Sequence, residues 1–568
     1  MTEVMAQTPP VLHGPSDKEK KYDRQLRLWA ASGQAALESA NILLVNSGGG
    51  TVGIETLKNL VLPGVSPSHD IPSTRLSVPA RVANHHPFTG IGKFTIADEA
   101  IVSDADLGVN FFLDESCRGK SRAHCCTHLL LELNPEVTGD WYPKTKVSFI
   151  PVIQSPLDLR QLLGSSDVFT IILYALPLQP DQVDLIKAYA RKHHTPLVAV
   201  HSVGFYSYFN IGLPGTFPVV DTHPDETATT DLRLLSPWPE LSTFANGMTE
   251  DMDNLDNHDH GHLPLVVILL HYLSVWKQTH GGAYPTTYTD KIAFRGFVAD
   301  AMRKDNPEGG EENFEEAISA VMKHVTVPSV PSSLKQVFEH HDGRGEGRSQ
   351  SSFWVIVEAV KQFYAKRQVL PVPGGLPDMK AQSNIYIQLQ NIYKDKARRD
   401  ALEVLATARA MAGGDQVDPA EVELFCTNAR FIKLVNAVEG DEVDMQQVVE
   451  QELANDQIAA VAGPEVPTSL IPIYLALSAT SHVSTAAAED IMSSMTRQAP
   501  ALVGNERAAQ VAQEVSRAAG GELHNISAVT GGMVAQEVIK IVTKQYVPVD
   551  NTCIFDGIES RCQVLRLK

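Results

Sequence analysis

Gly48, Gly50 and Gly53 stand in the run Gly48-Gly49-Gly50-Thr51-Val52-Gly53, which satisfies a G-x-G-x-x-G spacing. Glycines so placed let the chain turn tightly and aim the backbone N–H groups of a following helix at an anionic phosphate. Asp98 closes the next strand-like run, where a carboxylate can accept a ribose hydroxyl. The pattern alone suits NAD, FAD, ATP or a purely structural turn. A second chemistry-bearing stretch, Lys21-Tyr22-Asp23-Arg24-Gln25-Leu26-Arg27-Leu28-Trp29, lies a short spacer ahead. Basic and aromatic residues there suggest an arm toward phosphate, and the simpler reading is a solvated helix in which Asp23 and Arg27 pair across one turn.

The elements that must position these groups read as an α/β fold. Ile42–Val45 is strand-like, Ser47–Gly53 a turn, Ile54–Leu62 a helix with one apolar face, and Lys93–Ala97 a second strand, which makes a βαβ unit with a parallel sheet. Strand-like runs recur at Lys146–Ile150, Val168–Tyr174 and Pro196–Val200, and helical stretches at Lys120–Leu133 and Pro180–His193. From about Thr227 the pattern changes to long amphipathic segments, among them Leu263–Gln278, Glu311–His324, Ser351–Lys366 and Lys380–Ala412. A glycine-paired helix, Thr530–Thr543, and a strand, Thr552–Phe555, end the chain. The expected division is a tail over 1–20, an α/β domain over 21–226, a helical insertion over 227–522 and a return to the α/β domain over 523–568.

Other clusters carry less. The six cysteines contain no CxxC pair, so neither a disulfide framework nor a zinc ribbon is expected, in keeping with a reducing compartment, cytoplasmic and/or nuclear. Cys125 and Cys126 fall inside a helical run and read as core packing; Cys117, Cys553 and Cys562 lie near segment ends. His258-Asp259-His260-Gly261-His262 holds suitable ligand types but no second ligand group, so no metal site is expected. His124 and His128 lack the intervening Glu of a zincin. The acidic run Glu308–Glu316 reads as a solvated helix start. With 47 basic against 67 acidic residues, a net charge of -20 disfavours nonspecific attraction to nucleic acid or anionic membrane. The apolar stretches Leu263–Trp276 and Val168–Leu176 are too short to span a bilayer, and Met1–Lys21 lacks an apolar signal core, so neither membrane insertion nor secretion is expected.

The order of motifs is more specific than any one of them. Tyr22–Trp29, the glycine turn, Asn59-Leu60-Val61-Leu62-Pro63-Gly64, Phe94-Thr95-Ile96-Ala97-Asp98 and Asn110-Phe111-Phe112-Leu113 resemble the ThiF/MoeB-like adenylation fold of ubiquitin-like modifier activating enzymes. His223-Pro224-Asp225, Glu311–Ala317, Ser352-Phe353-Trp354, Leu376-Pro377-Asp378-Met379 and Gly531–Lys540 extend the resemblance over nearly the whole chain, toward the regulatory half of the heterodimeric enzymes for Nedd/Rub modifiers. The fold so implied is Rossmann-like, with a large, mostly helical insertion in the place of a catalytic-cysteine domain.

The resemblance implies a partner, a cysteine-bearing catalytic subunit that uses ATP and magnesium to adenylate the modifier and then carries it toward cullins. It implies no cofactor in this chain, and it assigns Arg24 to the partner's ATP in trans. Departures from an active half agree. Val109 stands where the resemblance expects a phosphate-binding arginine, Tyr174-Ala175-Leu176-Pro177 lacks the magnesium aspartate, and Cys426-Thr427 sits in an apolar context unlike a catalytic segment. Gly48, Gly50, Gly53 and Asp98 then form a degenerate nucleotide site. The alternatives are an autonomous NAD- or FAD-dependent oxidoreductase, a non-enzymatic scaffold, and the regulatory half of a SUMO-type enzyme, which has a shorter insertion.

Val65–Gly90, rich in Pro, Ser and His, interrupts the βαβ unit with 26 residues of no clear period. Excising them joins Gly64 to Ile91 as a short connection. Gly64 as GGT and Thr89-Gly90 as ACA-GGN could supply the ends of an in-frame retained intron, so the segment is expected to be disordered and functionless. Sequencing the mature message tests this; a transcript that always carries these codons refutes it.

Overall fold

A computed structural model describes residues 23–62, 90–144, 157–166, 168–225, 228–304, 310–342, 351–435, 444–463 and 467–567. The tail, the strand expected at Lys146–Ile150 and the insertion Val65–Gly90, apart from Gly90, lie outside the described residues.

In chain order the strands among the described residues are β1 (Asn41–Val45), β2 (Lys93–Ala97), β3 (Thr138–Tyr142), β4 (Ile171–Ala175), β5 (Leu197–Val203), β6 (Tyr206–Gly212), β7 (Phe217–Val220), β8 (Ile432–Val435), β9 (Thr552–Asp556) and β10 (Arg561–Leu565). Eight of them form one sheet in the order β10-β9-β6-β5-β4-β1-β2-β3, and β7 pairs with β8 in a separate ribbon. The β3-β2-β1-β4-β5 half is parallel throughout. The β6-β9-β10 side is antiparallel. Ile42, Leu43, Leu44 and Val45 are fully buried, as a parallel strand covered on both faces requires. The chain leaves β1 in opposite directions toward β2 and β4, and the carboxyl end of β1 is the topological switch point at which α/β sheets bind ligands.

Two compact units divide the chain. One comprises 1–217 with 435–568, the other 218–434. This moves the expected insertion boundary from 522 to 434. Helices Met445–Ala462, Ile471–Ala479, Ala488–Gln498 and Glu506–Ala518 share a core with Tyr206, Tyr208 and Ile554 of the sheet. Their apolar faces need the antiparallel half of the sheet as a partner, a long-range requirement that helical periodicity does not reveal.

The second unit has its own cores. One surrounds Leu265–Thr279, with Trp238, Phe294 and Phe314, and the other surrounds Ser352–Arg367, with Phe425 and Ile432. The 27-residue helix Ser383–Arg409 joins them, giving Leu389 and Tyr393 to the first and Val404, Leu405 and Ala408 to the second.

In the first unit, helix His524–Thr543 packs on Thr51–Val61 at very close range. A Cβ on Gly531 would lie 2.8 Å from Glu55 Cβ and from Thr56 N, so only glycine admits this approach. By length and composition this helix could cross a membrane, but 61% of its apolar window is buried inside the unit, which accounts for its hydropathy as core packing.

Candidate functional site

The glycine turn leaves β1 at the switch point. Gly48 and Gly50 take left-handed backbone conformations with φ of 58° and 68°, and Gly50 caps helix Thr51–Val61 with no side-chain cap of its own. A side chain at Gly50 would strike Asn46 and come within 3.0 Å of Arg122 Nη2, and one at Gly53 would lie 2.9 Å from Leu44 Cδ1. Geometrically, then, this is a nucleotide-fold turn with its glycines in place.

Its surroundings are already taken. Asp98, 1% exposed at the end of β2, accepts from Asn46 Nδ2 at 3.0 Å and Arg122 Nε at 2.7 Å on one oxygen, and from Arg122 Nη2 at 3.2 Å and Ala100 N at 2.9 Å on the other. Both carboxylate oxygens are thereby engaged, where the sequence reading left them open to a ribose. Arg122 is itself 2% exposed; its Nη1 donates to Asp106 Oδ1 at 2.8 Å and to the carbonyls of Gly48 and Gly49 at 2.9 and 3.0 Å. Burial disfavours the charged guanidinium, but Asp98 and Asp106 outweigh it and hold the group well above its ordinary pKa. Burial likewise pushes the Asp106 carboxyl up, and the Ser103 hydroxyl and Arg122 more than reverse that, leaving it below the usual range.

On the other side of the turn stands Glu522. Its Oε2 accepts from Val52 N at 2.8 Å and from Ser527 Oγ at 2.7 Å, and a side chain on Gly49 would lie 3.0 Å from its Oε1. Burial pushes this carboxyl above its ordinary pKa, against the opposing effect of those donors.

The remaining expectations divide. Arg24 lies in the first turn of helix Asp23–Glu38; its side chain is outside the described residues. Where the magnesium aspartate was expected and Tyr174–Pro177 stands instead, Pro177 Cδ would meet a Gly48 side chain at 3.0 Å, so the loop abuts the turn. Phe111, 71% exposed, stacks on His524 with ring centroids 3.6 Å apart, and His524 Nδ1 donates to the Val109 carbonyl at 3.0 Å. The residues present therefore do not fit a bound triphosphate, whose ribose and phosphate contacts are made internally. Arg122 and Glu522 escaped the sequence reading. Each is a single charge at a helix start, and nothing local marks it as buried.

No group of three or more metal-ligating side chains converges among the described residues. His260 turns inward, with Nδ1 2.6 Å from Glu311 Oε1, while His258 is exposed and Asp259 accepts from Gln382. The acidic run is thus corrected in part: Glu311 is 1% exposed and pairs with His260, whereas Glu312 bonds Lys380 at the surface. His124 packs against Trp141 and His128 pairs with Glu132, so the two do not act together.

Of the thiols, Cys125 and Cys126 are buried, and desolvation pushes Cys125 up to about 12 and Cys126 higher still. Cys426 lies in the wall of a cavity of about 240 Å³ in the second unit, beside Asp231, Leu370 and Arg430, and burial raises its pKa strongly. A transferring thiol needs the opposite conditions. Cys562 on β10 is the exposed one, and a hydrogen bond from Cys553 pulls it below the usual thiol range.

Comparison with known proteins matches the ThiF family over residues 22–568. NEDD8-activating enzyme E1 regulatory subunits of Xenopus laevis (32% identical, 95% of this chain and 97% of that protein) and Drosophila melanogaster (33%, 97% and 98%) align along nearly their whole lengths. The regulatory subunit AXR1 of Arabidopsis thaliana does so at 31% identity, covering 97% of each chain. Architecture, motif order and full-length likeness agree: the chain belongs to the ThiF family, in the group of NEDD8-activating enzyme E1 regulatory subunits.

Proposed function

We propose that this chain is the regulatory half of a heterodimer whose catalytic half binds ATP and magnesium, adenylates the C-terminal glycine of a Nedd/Rub-type modifier and takes it as a thioester for delivery to cullins. The observation that carries this reading is the glycine turn, retained in shape while Asp98, the expected ribose ligand, is spent on Arg122. Such a chain contributes architecture and contacts in trans rather than its own nucleotide chemistry. The buried Cys426 supports the same division, because the thioester then forms on the partner.

Within this reading Arg24 reaches the partner's triphosphate, where a charge-assisted contact placed on charge that develops in the transition state is worth about 3 kcal/mol, roughly a hundredfold in rate. The heterodimer acts in the cytoplasm and/or nucleus. The test is ATP–pyrophosphate exchange with the modifier, comparing this chain alone, the catalytic subunit alone and the pair. Exchange that requires the pair supports the proposal; exchange from this chain alone, or full exchange from the catalytic subunit without it, overturns it. Arg24→Ala should slow exchange by the pair on the order of a hundredfold with assembly intact, and loss of the heterodimer in that variant would refute a catalytic contact.

A further inference from the structure

The geometry points to Glu522 as a built-in occupant of the anion position of the glycine turn, which closes this chain's nucleotide site from within. The proposal rests on the reading that the partner holds the ATP, and it concerns what this chain does with its own turn.

A turn of this kind attracts phosphate because the first N–H groups of the helix have no intrahelical acceptor and carry the positive end of its dipole. Here the Val52 N–H is met at 2.8 Å by the Glu522 carboxyl. The contact is specified on both sides. Ser527, fully buried one turn into the next helix, donates to the same oxygen at 2.7 Å. The backbone carrying Glu522 is tied to the β5–β6 connection, with Gly204 N donating to the Gly521 carbonyl at 2.8 Å and Gly204 bridging to Glu522 itself.

Arg122 completes the closure by taking the carbonyls of Gly48 and Gly49 at 2.9 and 3.0 Å. The Val52 N–H thus goes to one side chain and the carbonyls of Gly48 and Gly49 to another. A phosphate entering here would have to displace a carboxyl that is 7% exposed and held by the Val52 N–H and the Ser527 hydroxyl. The same carboxyl fastens the C-terminal return segment to helix Thr51–Val61, so closing the site and joining two distant stretches of chain are one device.

The test uses the full chain without its partner, probed with inorganic pyrophosphate and with MgATP, by thermal unfolding and by calorimetric titration. Wild-type protein and Glu522→Gln, which keeps the volume, should show no saturable binding at millimolar ligand. Glu522→Ala should lose thermal stability and regain part of it with pyrophosphate, because the vacated Val52 N–H at the positive end of the helix is then open to an anion. Should the alanine variant fail to fold without ligand, Glu522→Ser replaces it with the same expectation. Saturable MgATP binding by the wild type that Gly50→Ala abolishes overturns the proposal. A small-residue variant that pyrophosphate does not stabilise overturns it too. Because no partner is present, these outcomes are independent of whether the pair carries out exchange.

Discussion

Replacing Arg122 by methionine isolates what closes the nucleotide turn. The substitution keeps an unbranched apolar stem but removes the cation that bridges Asp98 and Asp106, and with it the donors to Gly48 and Gly49. The two ion pairs share one guanidinium, so their energies are not summed. Breaking a buried pair by removing one partner costs about 3–5 kcal/mol, mainly because the remaining charge is left uncompensated. Since two compact units preclude a single unfolding free energy, the measurement should be local. Hydrogen exchange of peptides over 46–53 and 98–106 serves, where about 3 kcal/mol appears as exchange faster by on the order of a hundredfold. The pH dependence has a definite sign. Asp106 has a folded pKa below that of an ordinary aspartate, so its stabilising contribution is present above the ordinary carboxylate range and fades as pH falls through the folded value. The gap between wild type and Arg122→Met should therefore be widest near neutrality and narrow in acid. Asp98→Asn added to Arg122→Met should restore roughly 0.5–3 kcal/mol. Unchanged exchange at 46–53, or a gap that persists undiminished in acid, would refute the claim that Arg122 holds the turn through charge.

Two further perturbations probe other parts of the unit. Gly531→Ala drives a Cβ to 2.8 Å from Glu55 Cβ and Thr56 N, so the helices must part at a cost of about 1–3 kcal/mol, read as faster hydrogen exchange over 51–61 and 524–543. Gly532→Ala meets nothing nearer than 4.0 Å and should be neutral or stabilise by up to about 1 kcal/mol; equal effects at the two positions would contradict the close-packing account. At neutral pH iodoacetamide should alkylate Cys562 ahead of the five buried thiols. Cys553→Ala, which removes the donor that lowers Cys562, should slow that labelling several-fold, and an unaltered rate would sink the assignment.

How far the sequence alone reached follows from the range over which each feature is decided. The turn Gly48–Gly53, the helix after it and strands β1, β2, β4 and β5 were legible, because apolar runs and glycine spacing are local consequences of burial and of backbone freedom. Helix Pro180–His193 matched its expected limits, since Pro180 starts it and the basic run Arg191–His193 ends it. Strand β3, reading Thr-Gly-Asp-Trp-Tyr, was missed because it is an edge strand of half-exposed residues with no apolar run, and β10 was missed for the same reason. The stretch from 227 to 522 read as one mostly helical insertion, and pattern alone does not say which core its later helices complete, so the insertion boundary fell some ninety residues too late. Motif order identified the family. What became of its nucleotide site was settled by contacts between residues far apart in sequence: Arg122 with Asp98, and Glu522 with Val52 across 470 positions. Burial of a charge depends on the partner that tertiary packing delivers to it, and no local pattern in the chain records that partner.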